Sequence, residues 1–210
     1  MRKVVILLAF VVVLMPWSLV RAGESSPYVL GEWFLSDSFE DGTTPVNITD
    51  TQFTFLNPTN QTLFLEYAFF DTDGGFCGCD RDILQPNGRV RYTMSAEAGG
   101  SGFPGAQFSC VSGGKPTKTE GTMKSIAFQI GHQDKHYWDG HHHDNPDQNS
   151  IDISNALQVG YQIHFFQSGP PTEAGLKAIS ITQTTFQEIL SIHKQCVDFC
   201  NKTGLCPPLQ

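Results

Sequence analysis

A sandwich of antiparallel β-sheets, closed by one C-terminal helix, is the fold this sequence predicts. Three observations carry that expectation. Short segments of alternating or wholly apolar residues recur along the chain with Gly, Pro, Asn and Asp between them, the pattern of strands and turns. Only one stretch, near the C-terminus, repeats its apolar residues at helical spacing. Six cysteines follow an apolar leader, which places the folded part where disulfides persist.

The leader comes first in the chain. Arg2 and Lys3 precede the apolar run Val4 to Leu14, Pro16 breaks it, and Val20-Arg21-Ala22 offers small residues at signal-peptidase positions. The spacing predicts cleavage near Ala22 and a secreted or periplasmic product. The competing reading is an uncleaved N-terminal anchor, but the run is short for a membrane span. No later segment is apolar for long enough to cross a bilayer.

Residues 23–183 read as the β domain, and 184–210 as a helix and cysteine-containing tail packed on it. Without residues 1–22, 188 of the 210 residues remain, with 10 basic against 21 acidic and a net charge of −11. Such a surface repels phosphate backbones and anionic lipid, so nucleic acid is excluded as a natural partner. What remains is an unknown protein or surface ligand.

The strands follow in order. Val29 to Phe39 is the first candidate, and Val46 to Leu56 alternates Phe53 and Phe55 against Gln52 and Thr54. Thr62 to Phe70 is apolar on nearly both faces, as a central strand is. Asn57-Pro58 and Asp71-Thr72-Asp73-Gly74-Gly75 bracket it with turn chemistry. Asp71 and Asp73 also hint at calcium, but the later ligands of an EF-hand are missing and Asp-Gly suits a turn. Arg89 to Met94 keeps a clean period of two. Residues 95–122 hold seven glycines and two prolines without periodicity, a connection long enough to be functional or pinned by Cys110. Strand pattern returns at Ile126, Phe128 and Ile130, then at Leu157, Val159, Tyr161, Ile163 and Phe165, and again from Leu176 to Ile181.

The helix is expected to start at Thr185-x-x-Glu188, a capping box. Phe186, Ile189, Leu190, His193, Val197 and Cys200 then recur at helical spacing, and Gly204 and Pro207-Pro208 stop it.

The cysteines fall into two sequence groups, Cys77, Cys79, Cys110 and Cys196, Cys200, Cys206. Each group is odd, so complete pairing requires one or three bridges between the groups. Cys196 and Cys200 share a helix face, about 6 Å apart along the axis, and each is expected to reach a different partner. Thiolate ligation of zinc is the alternative, though the spacings do not match a paired C-x2-C site.

The segment from Phe55 to Met94 resembles the repeating unit of bacterial exported immunoglobulin-like domains. Phe55-Leu56-Asn57-Pro58-Thr59-Asn60, the apolar strand ending Phe69-Phe70-Asp71, Gly74-Gly75, and Leu84-Gln85-Pro86-Asn87-Gly88 carry the likeness. It covers about forty residues, implies an immunoglobulin-like sandwich, and implies no catalytic residues. Cys77-Gly78-Cys79 and the glycine-rich stretch depart from the pattern.

Chemistry concentrates in residues 132–147. His132, His136, His141, His142 and His143 lie there with Asp134, Asp139, Asp144 and Asp147, five of the chain's seven histidines. Imidazole with carboxylate suits Zn²⁺, Cu²⁺ or Ni²⁺, with His132, His136, His141, His142, His143, Asp139 and Asp144 as the candidate ligands. The plainer alternative is a solvated polar loop. His132-x3-His136 has zincin spacing, but Gln133 stands where the catalytic Glu belongs. His164 is expected as a partly buried strand residue, with a ligand joining the loop as the alternative, and His193 as a surface or half-buried one. No nucleophile elbow or phosphate loop is present: Phe103 and Pro116 occupy positions those motifs need otherwise. Asn47-Ile48-Thr49, Asn60-Gln61-Thr62 and Asn201-Lys202-Thr203 are glycosylation acceptors in a eukaryotic host. The expectation is therefore a binding or structural module, with a metal-dependent protein as the alternative.

Overall fold

A computed structural model describes residues 24–35, 50–94, 111–112, 115–116, 120–130, 151–165, 169–204 and 206. Its strands are β1 (Tyr28–Phe34), β2 (Asp50–Leu56), β3 (Leu63–Asp71), β4 (Phe76–Leu84), β5 (Arg89–Thr93), β6 (Val111–Ser112), β7 (Lys115–Pro116), β8 (Glu120–Ile130), β9 (Ile151–Asp152), β10 (Val159–Phe165), β11 (Thr172–Gly175) and β12 (Lys177–Ala178). Helix α1 runs Gln183–Thr203. The leader, the His-rich stretch and most of the glycine-rich stretch lie outside the described residues.

Two antiparallel sheets face each other. One has the order β12-β1-β8-β3-β4, with β9 added on β8; the other has the order β11-β10-β2-β5. Between them Val29, Trp33, Leu65, Phe69, Met123 and Ala127 of the first sheet meet Phe53, Phe55 and Tyr92 of the second. Aromatic rings dominate the contact: Phe55 stacks on Tyr67 at 5.3 Å, and Tyr92 meets both Tyr67 and Phe69. Such pairs add to the burial of their area.

A second core lies on the opposite face of the larger sheet. Tyr28, Ala68, Phe70, Ile126 and Phe128 pack there against Ile189, Ile192 and Cys196 of α1. This explains why the β3 segment is apolar on both faces. One set of side chains enters the sandwich, and the alternate set lies under the helix.

Several expectations change in detail. The first strand ends at Phe34, and residues 46–49, where the second is expected to begin, lie outside the described residues, which take up β2 at Asp50. In β4 the polar residues Asp80, Arg81 and Asp82 hide the strand pattern; the register with β3, from Leu63↔Leu84 to Ala68↔Cys79, supplies it. The alternation of 157–165 is real, yet its buried members are the small and polar ones. Gly160, Gln162 and His164 face inward, while Leu157 and Phe165 are 39% and 38% exposed. Apolar periodicity marks a strand without saying which face is covered. The expected strand from Leu176 to Ile181 is instead a change of sheet. β11 pairs with β10, β12 pairs with β1, and buried Leu176 between them donates its N–H to Gly160.

The helix starts a turn earlier than Thr185. Thr182 is the N-cap, its hydroxyl accepting from the Thr185 N–H, while Thr185 Oγ1 accepts from the Thr182 N–H. Thr185 thus fills the role expected of Glu188, and Glu188 is released to bond Lys124 on the sheet at 2.7 Å. Gly204 ends the helix as expected, in the left-handed conformation at φ 66°, donating to the Cys200 carbonyl.

The parity argument on cysteines holds. Cys79–Cys196 joins the two groups and ties β4 to α1; Cys200–Cys206 closes within the second group. Cys77 is also disulfide-bonded, with its partner outside the described residues. No described cysteine is free.

Candidate functional site

The expected metal ligands His132, His136, His141, His142, His143, Asp139 and Asp144 all lie outside the described residues. Their flanks are described: β8 and β9 pair at Gln129↔Asp152 and Ile130↔Ile151, so the two ends of the 131–150 segment lie side by side. Among the described residues no group of three or more His, Cys, Asp and Glu could hold a metal ion. The Asp71 turn is a turn, as read. Its Oδ1 accepts from the N–H groups of Asp73 and Gly75, at 3.0 and 2.7 Å, and Gly74 takes φ 81°.

His193 corrects its expectation: it is 0% exposed. Its Nδ1 lies 2.7 Å from Glu66 Oε2, and Glu66 Oε1 accepts from Arg81 Nε at 2.8 Å. Phe128 meets the imidazole edge-on at 5.5 Å. Burial alone would raise the Glu66 carboxyl, but the facing His193 and Arg81 outweigh it and hold it below the usual carboxylate range. The sequence hides Glu66 because its apolar neighbours dominate the strand. A lone carboxylate at the centre of such a strand was the available signal. The triad is sealed between sheet and helix, so it serves the attachment of α1 and offers no place for a substrate.

Among the described residues a cleft of about 540 Å³ opens on the larger sheet, lined by β1, β3, β8 and the 71–74 turn. It continues the face that α1 covers, beginning where the Lys124–Glu188 bridge marks the edge of the helix. Register places Glu32, Thr122 and Phe70 in one row across β1, β8 and β3, with Phe34 opposite Glu120 in the next. Gly121 shapes the floor. A Cβ there would sit 2.0 Å from the Phe70 carbonyl oxygen and 2.7 Å from Trp33 Nε1. Its absence lets the indole donate to that carbonyl at 3.0 Å.

Among the described residues, three carboxylates, Glu32, Asp71 and Glu120, line this cleft with one cation, Lys124. Lys124 is already engaged, bonded to Glu188 and held 4.7 Å from the centre of the Phe70 ring. The Phe70 face therefore accepts a cation in the protein's own structure. Lys124 and the Tyr28 hydroxyl in turn keep the Glu188 carboxyl below its ordinary range despite burial.

Behind the β1 wall of the cleft is a polar network. β12 covers β1 only at Val29 and Leu30, so the next backbone groups on that edge lack a strand partner among the described residues. Side chains of the other sheet supply it. Gln162 Oε1 accepts from the Glu32 N–H at 3.0 Å, and the Thr51 hydroxyl accepts from the Phe34 N–H at 2.9 Å while donating to the Phe34 carbonyl. His164 joins the two, with Nδ1 3.1 Å from Thr51 Oγ1 and Nε2 2.9 Å from Gln162 Nε2. It is a strand histidine, as expected, and more fully buried than expected.

No protein-family model matches this chain, and no curated protein matches it. Among solved structures, the crystal structure of Thermotoga maritima 1070 aligns with 72% of this chain and 96% of its own, at 9% identity and a TM-score of 0.37.

Proposed function

We propose that this chain is an exported, non-enzymatic binding module of immunoglobulin-like type, whose recognition site is the carboxylate-lined cleft over Phe70. The observation that carries this reading is the cleft's imbalance. Among the described residues three acids and two aromatic rings line it, and the lysine among them is already bonded to Glu188. Such a site attracts an ammonium or guanidinium group through the charge at its lining, beside a ring whose face already holds Lys124. Its volume lies in the range of small-ligand sites. Export rests on the leader sequence and agrees with the disulfides; among the described residues no helix is long and apolar enough to cross a membrane.

Calorimetric titration with n-butylguanidinium and with a short arginine peptide tests the reading. Binding is expected to weaken about tenfold in Glu120→Gln and in Glu32→Gln, both exposed positions where folding is unaffected. Equal affinity for a neutral urea analogue, or no response to either substitution, would sink it.

A second reading has its own support. Five histidines lie in a segment whose two ends are clamped together by β8 and β9, an arrangement that suits capture of Zn²⁺ or Cu²⁺. Metal analysis of untagged protein, with thermal shift on adding either ion, decides that question.

A further inference from the structure

We infer that His164 is a positioning residue for the β1 wall of the cleft and makes that wall, and with it the binding of a cation, sensitive to pH. The inference rests on the reading of the cleft as the recognition site, but its physical basis is the hydrogen-bond network behind the wall.

The direction of each hydrogen bond follows from its fixed end. The Glu32 backbone N–H can only donate, so the Gln162 atom facing it is the amide oxygen. The Gln162 nitrogen then faces His164 Nε2 as a donor, and Nε2 must carry a lone pair. The imidazole proton therefore resides on Nδ1 and is given to Thr51 Oγ1. The threonine hydroxyl passes its own proton to the Phe34 carbonyl and takes the Phe34 N–H. With the imidazole neutral, each of these hydrogen bonds pairs a donor with an acceptor, and the two ends of the network hold Glu32 and Phe34, both of which line the cleft.

A second proton on His164 breaks this order. Nε2–H would face the Gln162 NH₂ group, donor against donor. Turning the amide to relieve that clash takes its oxygen away from the Glu32 N–H, leaving the β1 edge uncapped. The Phe34 ring, edge-on to the imidazole at 5.0 Å, shares the disturbance.

The charged residues on the elements around His164, among those described, are Glu32 of β1, Asp50 of β2 and Glu173 of β11. Asp50 Oδ1 is committed to the Thr51 N–H, and Glu173 is exposed at the sheet edge. Glu32 favours a protonated ring, but burial opposes it more strongly and moves His164 below its ordinary range. The wall is thus intact above the ordinary histidine value and loosens as the pH falls through the lowered one.

Hydrogen exchange on the ligand-free protein, expressed as protection factors at pH 7.5 and 5.0, reads the wall directly. The Glu32 and Phe34 amides are expected to lose at least fivefold in protection at the lower pH, with Leu65 and Met123 as unchanged references. His164→Gln, whose side-chain oxygen can accept from Gln162 without acquiring charge, is expected to abolish the loss. n-Butylguanidinium affinity is expected to fall in parallel by about three- to tenfold in the natural protein. Glu120→Gln keeps that pH ratio while binding more weakly at both values. Unchanged Glu32 and Phe34 protection in the natural protein overturns the inference. A protection loss without any guanidinium binding at pH 7.5 overturns the cleft reading instead, and leaves the wall's pH response standing.

Discussion

Glu66 stabilises this fold only as long as its partners remain. Its carboxylate is 0% exposed and holds both Arg81 and His193, and a buried charge without a partner is strongly destabilising. Glu66→Gln is expected to cost about 3–5 kcal/mol in chemical denaturation at pH 7, because it removes the buried carboxylate that faces both the Arg81 guanidinium and His193. The pH dependence has a definite sign. The folded value lies below the unfolded one, so the contribution is present above the ordinary carboxylate range and is lost as the pH falls through the folded value. Asp80, next to Arg81, behaves in the opposite way. Burial pushes its carboxyl up to about 6, with Asp82 adding to the rise. The folded state holds that proton more tightly than the unfolded chain, so the benefit is full at low pH and lost as the pH rises through about 6. Asp80→Asn keeps an oxygen for the Arg81 N–H, now 2.7 Å away. It is expected to raise stability by roughly 1–2 kcal/mol at pH 7.5 and to leave it unchanged at pH 4. Thermal melts at both pH values would show it, and an equal effect at both would contradict the assignment.

At the scale of elements, α1 is held by three different kinds of attachment. Ile189 and Ile192 bury apolar surface, His193 enters the Glu66–Arg81 triad, and Cys196 bonds Cys79. The two described disulfides differ in what they close. Cys79–Cys196 spans a sequence separation of 117 and Cys200–Cys206 one of only 6. Chain entropy then assigns about 5 kcal/mol to the first and about 2 kcal/mol to the second as upper values. Replacing both Cys79 and Cys196 by Ala is accordingly expected to lower the urea midpoint clearly more than replacing Cys200 and Cys206. The reverse order would show that native contacts, not the unfolded chain, decide the stabilisation. The helix boundary carries a lesson of its own. Thr185-x-x-Glu188 has capping-box grammar, yet Thr182 and Thr185 cap each other one turn earlier. The sequence offered two solutions, and the salt bridge from Glu188 to Lys124 on the sheet favours the longer helix.

At the scale of the whole molecule, the larger sheet is shared by two cores. One face meets the second sheet and the other meets α1, so the sheet needs both neighbours. A chain ending before Thr182 would uncover Tyr28, Ile126 and Phe128, together with the open Glu66–Arg81 pair. A contiguous apolar face of that kind promotes association. Such a chain is expected to aggregate or to bind a hydrophobic dye at pH 7, whereas the full chain with the Cys200 and Cys206 replacements is not. Light scattering and dye fluorescence compare the two directly.

The residues by themselves determined a good part of this. Alternating apolar segments and turn residues marked the antiparallel strands, because a pleated strand repeats every two residues whatever it packs against. Helical spacing and Gly204 marked the helix and its end, and odd cysteine groups required a bridge between body and tail. Only the tertiary structure decided which face of each strand is covered. The 157–165 segment turns Gln162 and His164 inward because β1 presents uncapped backbone there, a need written in another strand. Likewise Glu66, His193 and Arg81 stand far apart in the chain, and nothing local to any of them says that they meet. The cleft depends on Gly121 letting Trp33 reach Phe70, a contact among three strands that no single segment encodes. Periodicity is a property of one segment, whereas burial of a charge or the opening of a cleft belongs to the neighbours it acquires on folding.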